Sequence, residues 1–152
     1  MKPEPPNTVA TLRVAITSAD ETNRPAPGAP GPSAYSLFKA KRLAATHQAS
    51  IALALKSGVT IVAGSDNAYP AGSTGLIAEL VTDVEHGMSA QLALVSATRS
   101  GAALLGLETL GALAPGMEGD FIAMDGDPLA DIHAIERARV VVFKGVVVTD
   151  KR

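Results

Sequence analysis

The chain has 152 residues and a formal net charge of −2; 47% of its residues are apolar, 18% charged and 3% aromatic, and it contains no cysteine. That balance suits one folded domain with a buried core and excludes a disordered chain, a disulfide scaffold or a thiolate metal site. The scarcity of aromatics and the lack of any basic tract argue against nucleic-acid binding, and no apolar run reaches membrane-spanning length.

In chain order, residues 1–33 read as an irregular segment. Pro3, Pro5 and Pro6 open it, and RPAPGAPGPS from Arg24 to Ser33 closes it. Proline and glycine at that density prevent a helix and interrupt a sheet ladder. Only TVATLRVAIT, Thr8 to Thr17, has strand character, with Val9, Leu12, Val14 and Ile16 among threonines. The opening MKPEPPNTVATLRV has no apolar signal-peptide core, so the expected location is cytoplasmic.

From Tyr35 to Ser57 the pattern becomes helical. Ser33 fits an N-cap, and Leu37, Ala40, Ala44, Ile51 and Leu55 share one face, with Lys39, Lys41 and Arg42 off it. Gly58 is the expected left-handed stop. His47 lies mid-helix and reads as a structural hydrogen-bond partner.

Val59 to Ala63 is a nearly continuous β-branched run, the signature of a parallel strand covered on both faces. Gly64, Ser65 and Asp66 follow at once. In α/β folds the loops after the carboxyl ends of parallel strands hold the chemistry. Asp66 there is a candidate metal ligand or general base. Asp66 and Asn67 are equally good turn formers and helix caps, the ordinary reading of this stretch taken alone.

After the loop NAYPAGST, Ser73 or Thr74 is expected to cap a helix whose stripe is Leu76, Ile77, Leu80, Val81 and Val84. Glu79, Asp83 and Glu85 are expected to face away from that stripe. Gly87 ends this helix, and Ser89 caps the next, with Leu92 and Val95 inward. Thr98 to Ser100 interrupt it, and Ala102 to Leu105 continue to a stop at Gly106. His86 falls at a helix end.

The last third is β. DFIAM, Asp120 to Met124, reads as a strand, and Asp125 to Pro128 as a turn. Val140 to Phe143 and Val146 to Val148 around Lys144-Gly145 read as a hairpin. His133 is placed in a loop.

Four pieces, in order, resemble the C-terminal portion of the amidohydrolase superfamily, nearest its imidazolonepropionase-like and Xaa-Pro-dipeptidase-like branch. SGVTIVAGSD resembles the last barrel strand with its terminal Asp. VEHGMSAQLALVSATRSGAALLGLE resembles the helices that follow. LGALAPGMEGDFIAMDGDPLADI resembles the next strand and turn, and VVVFKGVVV the closing hairpin. The resemblance covers about two thirds of the chain, from Ala45 to Asp150.

It implies an α/β fold: the last βα unit or units of an incomplete (β/α)8 TIM-type barrel, over residues 34–106, followed by strands of a small β-sandwich, over 107–152. It also implies metal-dependent hydrolysis of carbon–nitrogen bonds in small amide, cyclic amide or dipeptide substrates. One or two divalent metals, zinc foremost, activate a water in such enzymes. The Asp ending the last strand binds metal and shuttles the proton, a role that transfers to Asp66 alone.

The family's other ligands have no counterpart: there is no His-x-His, and His47, His86 and His133 follow no predicted strand. A catalytic zinc takes about three protein ligands, and a complete barrel about 250 residues. Ala71-Gly72 stands where this branch often carries His-Gly. Two functions are therefore carried: a fragment or short member of an amidohydrolase, and a non-catalytic remnant or interaction domain. An unrelated α/β binding protein would leave the four ordered matches unexplained. A complementing chain or self-association is expected, since Val59 to Ala63 would otherwise expose strand edges.

Overall fold

The computed structural model describes residues 7–10, 33–65 and 75–151. The expected strand over Thr8 to Thr17 lies mostly outside those residues. Its start is β1 (Asn7–Ala10).

Helix α1 (Ala34–Lys56) starts where the proline-rich stretch stops, and the Leu37 amide donates to the Ser33 carbonyl at 3.0 Å. Lys56 sits in its last turn, where a cation complements the helix dipole. Gly58, at φ +73°, turns the chain out of the helix, as expected. Most of α1 is exposed. Among the described residues, its C-terminal end docks, with Ile51, Ala54 and Leu55 packed against the core.

Strand β2 (Thr60–Ala63) pairs in parallel with β1, Asn7 opposite Thr60 through Ala10 opposite Ala63. Its β-branched run is buried as read, with Ile61 2% exposed. Next come α2 (Gly75–Glu85), α3 (Ala90–Ala97) and α4 (Arg99–Leu104). The Ser89 hydroxyl accepts from the Leu92 amide at 3.2 Å and caps α3, as expected. Thr98 breaks the path between α3 and α4, its hydroxyl donating to the Leu94 carbonyl at 2.7 Å.

Strands β3 (Phe121–Met124), β4 (Ala138–Phe143) and β5 (Val146–Asp150) form a separate three-stranded antiparallel sheet, β4 in the middle. The β4–β5 turn is Lys144-Gly145, both at positive φ (51° and 74°), which matches the right-handed twist of a hairpin. The hairpin begins two residues earlier and ends two later than the valine runs alone indicated.

A short 3-10 helix, Ile132–Glu136, leads into β4. This corrects the reading of His133 as a loop residue. Asp131 caps the turn, its carboxylate accepting from the His133 amide at 3.0 Å. The same turn buries Ile132 and Ile135 in one cluster with Ile61, Leu80, Val81, Met88 and Ala93. The core therefore joins β2, α2, α3 and the 3-10 helix. Among the described residues no helix is long and apolar enough to cross a membrane.

Candidate functional site

The candidate site is built on the carboxyl end of β2. The apolar run makes the strand, pairing with β1 fixes it, and α2, α3 and α4 pack against it. Gly64 and Ser65 leave the strand half-buried. Asp66, the predicted ligand and general base, lies outside the described residues, as do Ala71-Gly72 and the expected caps Ser73 and Thr74. The last described residue before Asp66 is thus two positions beyond the end of a buried parallel strand.

The histidines are spread over separate elements. His47 is exposed on α1. His86, just past α2, donates from Nδ1 to the Thr82 carbonyl at 2.8 Å. His133 places Nδ1 3.2 Å from Glu136 Oε2 and Nε2 3.9 Å from Glu85 Oε1, all three side chains about half exposed. Among the described residues no three His, Asp or Glu side chains gather closely enough to hold a metal ion.

One polar feature was missed from sequence. Glu79 and Asp83 do not face solvent; they are 0% and 1% exposed. Their neighbours Leu80, Val81 and Thr82 are buried too, so the middle of α2 is enclosed on nearly every side. Leu76 and Ile77, assigned to the buried stripe, are exposed instead. The one-stripe reading fits a helix on the surface and fails for one covered all round. A signal was available: α2 contains no Lys or Arg, and two like charges at i, i+4 are unfavourable on an open helix face.

Among the described residues, neither carboxylate oxygen of Asp83 meets a hydrogen-bond donor. Burial, and then the charge of Glu79, push its pKa from 3.8 up to about 7. Ser96, also fully buried on α3, donates from its hydroxyl to the Ala93 carbonyl at 2.7 Å and so stays within its own helix.

On this strand–helix–hairpin frame, similarity to known proteins is extensive. The profile of the amidohydrolase family matches residues 6–148. Ochratoxinase of Aspergillus niger is 38% identical over 112 residues, which are 70% of this chain and 23% of that protein. The crystal structure of a Xaa-Pro dipeptidase with methionine bound in its active site superposes with a TM-score of 0.78 at 29% identity, over 94% of this chain and 34% of that one. The crystal structure of A. niger ochratoxinase gives 0.76, also at 29% identity, over 95% of this chain and 32% of that one. The chain thus spans about a third or less of the length of the relatives it matches.

Proposed function

Because the chain belongs to the amidohydrolase family, we propose that it supplies the closing part of a metal-dependent hydrolase acting on carbon–nitrogen bonds. In this reading residues 34–106 are the last βα part of an incomplete (β/α)8 barrel, 107–152 are strands of a small β-sandwich, and 1–33 lead into them. What supports it is the place of Asp66 in the sequence, three residues past the end of the buried parallel strand β2 and before α2, in a chain matched from 6 to 148.

Asp66 is the residue we assign to metal binding and proton transfer. Its carboxylate would take the proton of the attacking water and pass it to the leaving nitrogen. The metal, zinc by preference, does not fit the described residues on their own, since they bring no three ligands together. Its further ligands are assigned to a complementing chain or a longer form of this one. The substrate class is a small amide or dipeptide, in line with the Xaa-Pro dipeptidase among the similar structures. Location is proposed as cytoplasmic, with no role in nucleic-acid binding.

The second reading is a non-catalytic interaction domain. It is favoured by the engagement of His86 with a backbone carbonyl and of His133 between two glutamates.

One experiment separates the two. The chain is expressed with a Xaa-Pro dipeptidase that lacks its own C-terminal third, and zinc content and dipeptide hydrolysis are measured. The enzyme reading expects no tight zinc binding by the chain alone, activity on complementation, and its loss by about 100-fold or more in Asp66→Asn. Complementation indifferent to Asp66→Asn, or none at all, would overturn it in favour of the interaction domain.

A further inference from the structure

Asp83 is buried to the level of the core, and among the described residues neither of its oxygens has a hydrogen-bond partner. A buried carboxylate with no donor is among the costliest groups to keep ionised. One turn away along α2, Glu79 is equally enclosed, so a second negative charge on that face would be opposed as well. Among the described residues, the elements packed against α2 bring no cation to the Asp83 carboxylate. Strand β2 and helix α3 carry no ionisable residue. The 3-10 helix carries His133 and Glu136, which face each other and Glu85. At the end of α2, the His86 ring is bonded to Thr82.

We propose that Asp83 is a proton-controlled latch for the seating of α2. With its proton, the carboxyl is tolerated in the enclosed face beside Glu79, and α2 stays packed on β2, α3 and the 3-10 helix. Without it, the charge draws water and loosens that packing. The inference is independent of any role for Asp66. It bears on that residue's surroundings only because α2 is the helix that follows the Asp66 loop.

The sign follows from the direction of the shift. Asp83 holds its proton more tightly folded than unfolded, its pKa rising from 3.8 to about 7. Its contribution is therefore fully present below the unfolded value and is lost progressively as pH rises to the folded one. Over that window the folding constant is expected to fall by ~10-fold or more, less than the full shift converts to because water entry and relaxation offset part of it.

The test uses the whole 152-residue chain. Chemical denaturation is followed as pH is raised from mild acid to neutrality, for the native sequence and for Asp83→Asn, which keeps shape without ionising. The expected result is a stability that falls with pH in the native chain and a markedly flatter profile in the variant. Parallel profiles would overturn the proposal. Should Asp83→Asn fail to fold, the native chain decides alone. The side-chain carboxyl carbon of Asp83, carbon-13 labelled and assigned through its own amide, should titrate near neutrality, and titration in the ordinary aspartate range would overturn it.

Discussion

Leu80 shows what one residue contributes in a core this small. It is buried on α2 and belongs to the cluster that includes Ile61, Met88 and Ile135. Truncation to alanine removes that contact and leaves a void between three elements. Leu80→Ala is therefore expected to cost ~2–5 kcal/mol, read as a lower midpoint in chemical denaturation. The same change at Leu76, one turn earlier and exposed, should fall within ~0.5 kcal/mol. Such a contrast tests the corrected face assignment of α2 directly, because the single-stripe reading expects similar losses at both. Exposed ion pairs behave differently. Arg139 reaches Asp125 at 2.6 Å with both side chains about half in solvent, a geometry that contributes only ~0–1 kcal/mol.

At the scale of elements, the joints between helices matter as much as the helices. Gly111 lies beyond α4 with φ +85°, and a Cβ placed on it would stand 2.8 Å from the Arg99 Cα and 2.9 Å from the Thr98 carbonyl oxygen. The loop thus rests its backbone directly on the α3–α4 break. Both the torsion and the close approach need a residue without a side chain. Gly111→Ala is expected to destabilise by at least ~1–3 kcal/mol, seen as a lower thermal midpoint with the hairpin sheet retained. The hairpin turn is tied to the residues just before β3: the Asp120 carboxylate accepts from the Lys144 amide, and the Gly145 amide donates to the Gly119 carbonyl at 3.1 Å.

For the whole molecule, the question is what remains open. The described part of the first sheet has two strands, β1 and β2. A parallel sheet is ordinarily continued and covered on both faces, and uncovered strand edges recruit other chains. The hairpin sheet exposes Ile122, Phe143, Val146, Val147 and Val148, and Phe143 stands opposite Val146 on neighbouring strands. Exposed apolar side chains of that number favour association. The isolated chain is expected to self-associate or to require a complementing chain, measured by light scattering coupled to size exclusion with a thermal melt alongside. A monodisperse monomer with a sharp cooperative melt would show that it closes its own core and would count against the barrel-fragment reading.

Local signals in the sequence determined a good deal. The β-branched run of β2, the serine cap of α3, the glycine that ends α1 and the Lys-Gly turn between β4 and β5 each depend on a few neighbouring residues. Their physics is carried by torsions and short-range hydrogen bonds, so the sequence states it outright. The ordered pieces from SGVTIVAGSD to VVVFKGVVV likewise carried the family. What only the tertiary structure decided is which face of a helix is covered, because that depends on distant segments. Glu79 and Asp83 read as solvated because they are charged. They are buried on a helix that packs against the 3-10 helix at Ile132–Glu136, about fifty residues later, and against α3. Periodicity cannot register a neighbour so far along the chain, and the protonation of Asp83 is set by that enclosure.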